Sequence, residues 1–278
     1  MAACGVLVVI GLVAAIRWGS LEVLPPRVDE PPDLSPMAVA RRYLWFLTVA
    51  VVSGVGSGVL IAGAGGRLAM RLLAATAGDA AQGRLTEAEE IVGRVSVGGT
   101  IGFIVFVALF LGLASGALYV LIRRWLPVGR LGGLAYGSLL LVLVATRVEP
   151  LRADNPDFDI VGPGWVAAVV FGALVVVHGM AVAAIAGRYS RTLPILSKER
   201  RSLLAYAPLL VLLPVVGVAV FLVLVGVLVV LLSRWLTLIR FLRSRAATVG
   251  GRLALAAVSL IALPGCLSAL SDIAGRTP

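Results

Sequence analysis

Between Gly164 and Gly187 the chain reads GWVAAVVFGALVVVHGMAVAAIAG, without one charged side chain. A bilayer core about 30 Å thick is crossed by about 20 apolar residues in a helix. In lipid only helices and closed barrels satisfy every backbone N–H and C=O. The apolar blocks of this chain are continuous and lack the polar–apolar alternation of a barrel strand. The fold class expected is therefore all-α, a polytopic transmembrane helical bundle. Composition agrees: 60% of the 278 residues are hydrophobic and mean hydropathy is +1.05. Only 14% are charged, against about 25% in soluble domains.

Spans are expected at about 2–16, 43–66, 97–122, 131–146, 164–187, 208–232 and 251–270. That makes about seven, or six if the N-terminal run does not span. No basic segment precedes residues 2–16 and no small-residue cleavage site follows, which favours a short span over a cleaved signal peptide. Residues 17–35 form a polar linker whose prolines exclude helix. Ser35 followed by Pro36 reads as an N-cap and first helical residue. Residues 67–96 read as an amphipathic segment, with TEAE at 86–89 a capping box that starts a helix near Glu87. Residues 147–163, RVEPLRADNPDFDIVGP, form an acidic loop in a chain poor in acids.

Basic residues mark cytoplasmic loops. Segments 123–130 and 188–201 carry them and 147–163 carries acids, so the first two face inward, and 147–163 and 67–96 outward. Five arginines conflict with this alternation: Arg234, Arg240, Arg243, Arg245 and Arg252 fall outside if 203–232 is one tilted span. A hairpin hinged near Pro214 would return them to the cytoplasm. The single span is the preferred reading, because each leg of a hairpin would be only about half a normal span.

Ala50, Gly54, Gly58, Ala62 and Gly66 recur every four residues. Ala108, Gly112 and Gly116 repeat the spacing, as do Gly129, Gly133 and Gly137, and Gly179, Ala183 and Gly187. Such stripes let helix backbones approach closely in lipid. His178, the single histidine, is the one intramembrane polar candidate. Its expected role is a buried, neutral side chain in a structural hydrogen bond. The outer-face polar cluster comprises Arg67, Arg71, Glu87, Glu90, Arg94, Arg147, Glu149, Arg152, Asp154, Asp157 and Asp159. Within it the acidic loop is expected to fold over the helix exit and pair Arg67 or Arg71 with Asp154 or Asp157.

Asn155, Asp157 and Asp159 alternate like the start of a calcium loop, but Ile160 stands where the glycine belongs and Val166 where the closing glutamate belongs. Cys4 and Cys266 make neither a disulfide framework nor a metal spacing. No P-loop, HExxH or GxSxG in context is present. No catalytic residue, cofactor or metal is expected. The net charge of +10 comes from arginines flanking apolar runs, which argues against nucleic acid. Lys198 is the only lysine, and this arginine bias with the Ala, Gly and Val load points to a GC-rich bacterial genome.

The combination GRLTEAEEIVG…GGTIG, RRWLP and PLRADNPDFDIVGPGW, over roughly residues 65–190, resembles a group of uncharacterised integral membrane proteins of actinobacteria and related bacteria. The resemblance implies a membrane location and brings no activity. The expected protein is a bacterial plasma-membrane, multi-pass and non-enzymatic structural or interaction subunit. Its partners are the lipid bilayer and either a second copy or a membrane partner subunit. A channel or transporter for a small solute is the alternative, and a lipid-directed membrane enzyme the second.

Overall fold

The computed structural model describes residues 1–19, 35–232 and 244–276. The described residues form helices and connecting loops: α1 (Ala2–Trp18), α2 (Pro36–Thr76), α3 (Val97–Trp125), α4 (Arg130–Ala145), α5 (Gly164–Thr192), the short α6 (Arg200–Ala205), α7 (Val216–Leu232) and α8 (Arg245–Ala274). Four of them, α2, α3, α5 and α8, are long and apolar enough to cross a membrane. The linker 20–34 and residues 233–243, with Arg234, Arg240 and Arg243, lie outside the described residues.

Local chemistry sets the helix starts. Ser35 Oγ accepts from Ala38 N at 3.3 Å, and Pro36 occupies the first turn, where its missing N–H costs nothing. Ser96 Oγ takes the Gly99 N–H at 3.0 Å and starts α3. The helix expected near Glu87 does not form. Thr86 N bonds Glu90 O at 2.9 Å and Val92 N bonds Arg84 O at 2.9 Å, closing a tight hairpin with an isolated bridge between Leu85 and Ile91. Glu89 sits at φ 58° in the turn. Gly83 and Gly93 flank it at φ 82° and 86°, values that no regular helix admits.

The small-residue stripes find each other in pairs. A Cβ built on Gly58 would lie 2.7 Å from Ala108 Cα, and Gly54 meets the backbone of Gly112 and Gly116. The stripe of α2 therefore crosses the stripe of α3, backbone against backbone. At this crossing both helices widen to i→i+5 bonding, over Gly58–Gly63 and Ala108–Gly112. Gly137 packs on Val176 and Gly179, and Gly133 on Met180 and Ala183, which joins α4 to α5 in the same way. Trp45, Tyr119, Tyr136 and Val182 fill the core among α2–α5.

The bundle has two chemically distinct ends. At one, Trp45 Nε1 bonds Leu193 O at 3.0 Å, Arg130 bonds Ile16 O at 3.1 Å, and Gly251 packs on Trp125. This end gathers the exits of α1, α3 and α5 and the starts of α2, α4 and α8. Glu199 is its single described acid, among arginines such as Arg41, Arg42, Arg188, Arg191, Arg200 and Arg201. At the opposite, acidic end lie the 77–96 and 146–163 loops and the last turn of α8, whose Ile273 meets Gly164.

These contacts correct the reading of residues 203–232. Thr192 and Arg245 lie at the same basic end, so the chain between them begins and finishes there. The stretch breaks at Pro214, between a tight turn of helix at Ala207–Leu212 and α7. Within α7, Leu222 O accepts from Tyr43 Oη at 2.6 Å and Gly226 packs on the same ring, two residues from Trp45 at the basic end. Arg245 and Arg252 therefore lie with the other basic residues.

Candidate functional site

The acidic loop is a docked cap rather than a solvated strand of chain. Leu151 and Phe158 insert among Ala69, Leu73, Ala145, Phe171 and Ile273, and Ile160 packs with Ala74, Ala81 and Val92. Asn155 Oδ1 accepts from Asp157 N at 2.8 Å and starts a helical turn over Pro156–Asp159. Thr76 Oγ1, at the exit of α2, bonds Gly162 O at 2.5 Å.

Two arginines hold the polar surface of this cap. Arg152 Nη2 lies 2.6 Å from both oxygens of Glu87. Its Nε is 3.1 Å from Asp154 and 3.8 Å from Glu149. Glu87, through its own N–H, also donates to Asp157 Oδ1 at 2.7 Å. The hairpin after α2 and the acidic loop are thus joined at Glu87. The second arginine is Arg276, beyond α8. Its Nη1 bonds Asn155 O at 3.2 Å and Asp159 Oδ1 at 3.1 Å, its Nη2 bonds Ala153 O, and its own carbonyl accepts from Gly164 N at 3.1 Å.

The protonation equilibria follow this arrangement. The Glu87 hydrogen bond raises the Arg152 pKa. Burial pushes the half-buried Glu149 carboxyl up, and Arg152 only partly offsets it.

The expected pairing of Arg67 or Arg71 with Asp154 or Asp157 is not what forms. Arg67 Nη2 reaches Thr100 Oγ1 at 3.4 Å, and its guanidinium lies over Phe103 at 5.6 Å. Arg71 Nη1 bonds Gly93 O at 3.0 Å. Both arginines brace the hairpin and the start of α3 instead. Arg147 turns back on the carbonyls of Val142 (2.7 Å) and Leu143 (3.3 Å), satisfying the C-terminal end of α4. Glu90 and Arg94 are exposed on the hairpin. Arg276 went unnoticed in the sequence because it follows the last apolar run by itself, with no local pattern around it.

In the middle of the bundle, His178 is buried and its Nδ1 lies 2.8 Å from Ser57 Oγ, next to the widened turn of α2. Other buried hydroxyls bond within the protein. Thr48 and Ser53 bond the carbonyls of Leu44 and Val49 at 2.7 Å each, and Tyr136 Oη donates to Ser115 O at 2.5 Å. Among the described residues no group of three or more His, Cys, Asp or Glu is placed to hold a metal ion. A comparison with protein-family models, curated proteins and solved structures returns no match.

Proposed function

We propose that the chain is a multi-pass protein of a bacterial plasma membrane, with its basic end toward the cytoplasm, and that its role is that of a non-enzymatic structural or interaction subunit. One observation carries the reading: Arg152, Arg276 and the buried hydroxyls of the interior are bound by the protein's own groups. Arg152 and Arg276 are occupied by the cap's own acids and carbonyls. The interior hydroxyls bond helix carbonyls, His178 or Tyr136. Groups committed in this way support a rigid scaffold, since catalysis and transport need polar groups free to meet a substrate.

Orientation rests on the positive-inside rule applied to the two ends. Cysteine at Ala80, on the acidic end, reacts with an impermeant thiol reagent in intact cells, and cysteine at Thr192 reacts only after permeabilisation; reversed labelling overturns the orientation. Function is tested by affinity purification in mild detergent. A stoichiometric partner, or a stable oligomer of the chain, supports the subunit role. A lone bundle that moves a small solute across liposomes supports a channel or transporter instead.

A further inference from the structure

A small apolar crevice opens at the basic end where α1, α4 and α5 meet. It has a volume of about 180 Å³ and is lined by Ala15, Ile16, Gly19, Arg130, Gly133 and Met180. This is below the roughly 300–1,000 Å³ of sites that enclose a whole small ligand. Gly133 packs closely against Met180 and Ala183, and the crevice runs beside this contact. The last turn of α1 supplies its apolar rim through Ile16, which is exposed.

Arg130 stands at the mouth. One of its amino groups bonds Ile16 O at 3.1 Å, fixing the guanidinium across the exit of α1. No carboxylate of the described residues pairs with it. The neighbouring Arg17 is exposed, and Glu199 is the only described acid at this end. Exposed Trp18 lies one residue further, a side chain suited to headgroup depth.

We infer that this crevice binds one anionic phospholipid, with the phosphate on Arg130 and the upper part of one acyl chain between Ile16, Gly133 and Met180. The inference rests on the membrane reading above. Charge selects the ligand, because a guanidinium held on Ile16 O with no carboxylate partner among the described residues favours a phosphate, and its remaining N–H groups can donate to phosphate oxygens. An apolar furrow directly below the charge selects a lipid over a free anion.

The test uses the full-length protein in mild detergent, titrated with dioleoylphosphatidylglycerol or dioleoylphosphatidylcholine and read by native mass spectrometry. The wild type is expected to retain one phosphatidylglycerol in preference to phosphatidylcholine. Arg130→Gln is expected to lower that retention about three- to fivefold, the scale of one arginine at an anionic surface. Arg201→Gln, at the same end but outside the crevice, leaves it unchanged. Ile16→Ser weakens it by removing apolar rim. In the wild type, hydrogen exchange slows in peptides covering residues 15–19 and 129–133 on adding phosphatidylglycerol, a readout that does not depend on any variant folding. Equal losses for Arg130→Gln and Arg201→Gln, or no protection of those peptides, overturn the site. Equal protection by millimolar inorganic phosphate alone overturns the lipid in favour of a free anion. The membrane reading fails separately, if the protein leaves membranes in alkaline carbonate without detergent.

Discussion

The two ends of the bundle are both rich in arginine and differ in the acids that stand around it. At the acidic end, arginines serve the protein. Arg152 ties the loop to the hairpin through Glu87, Arg276 ties it to the last turn of α8, and Arg71 and Arg147 satisfy backbone carbonyls. At the basic end Arg130 bonds a carbonyl, Ile16 O, Arg124 lies over Trp125, and Glu199 is the one acid among the described residues. Net charge therefore says little about what an arginine does. What matters is whether a rigid acid stands within reach. Pro150, Pro156 and Pro163 stiffen the acidic loop, which lowers the entropic cost of holding its carboxylates in place.

If that contrast is right, the bundle should be most sensitive between its ends, next at the acidic end, and least at the basic end. Gly58→Leu drives a side chain into the backbone of Ala108 and should cost at least about 3 kcal/mol, the upper range for overpacking. Folded yield in detergent should collapse, while Val59→Leu, one residue away, should give near-normal yield. Phe158→Ala removes a 3% exposed ring from beneath the acidic loop and should cost about 3–5 kcal/mol where the cap behaves as core. A fall of less than about 1 kcal/mol in thermal unfolding would mean the loop is not a packed element. Arg276→Gln breaks charge-assisted bonds to Asp159 and two carbonyls and should cost about 1–3 kcal/mol. Faster hydrogen exchange confined to residues 151–164 is the accompanying signature.

Glu149 sharpens the comparison by sign rather than size. Because burial raises its pKa, the folded chain holds that proton more tightly than the unfolded chain. Its contribution to stability is fully present below the unfolded pKa and is lost as pH rises through the folded one. Glu149→Gln should therefore raise Tm at neutral pH and flatten the fall of Tm with rising pH across the acidic range. A lowered Tm at neutral pH would mean that the Arg152 attraction dominates. Smallest is Arg201→Gln at the basic end, expected within about 0.5 kcal/mol in detergent. A larger loss would reveal an internal partner there and break the contrast between the ends.

The all-helical class and the small-residue stripes were legible in the sequence because each is a local, periodic property. An uninterrupted apolar run must bury its backbone polar groups within a helix. A glycine every fourth residue lies on one helix face. Ser35–Pro36 and the acidic loop between α4 and α5 were readable for the same reason. That the stripe of α2 meets α3, and that of α4 meets α5, was not, since a stripe carries no address for its partner.

Tertiary structure also decided the features that depend on distance along the chain. TEAE carries the local signature of a helix start, yet cross-bonds from Arg84, Thr86, Glu90 and Val92 fold it into a hairpin, because a capping box contributes only about 1 kcal/mol against several long-range contacts. The thirty-residue apolar stretch at 203–232 matches a single span in length, but it breaks at Pro214, between Ala207–Leu212 and α7, and Thr192 and Arg245 lie at the same end. Arg276 reaches an acidic loop more than a hundred residues earlier, and Ser57 meets His178 across 121 residues. Hydropathy is a sum over neighbours in sequence, and it marked the helices long and apolar enough to cross a membrane. Ion pairs and glycine contacts join residues far apart in sequence, and only the packed bundle could say which ones meet.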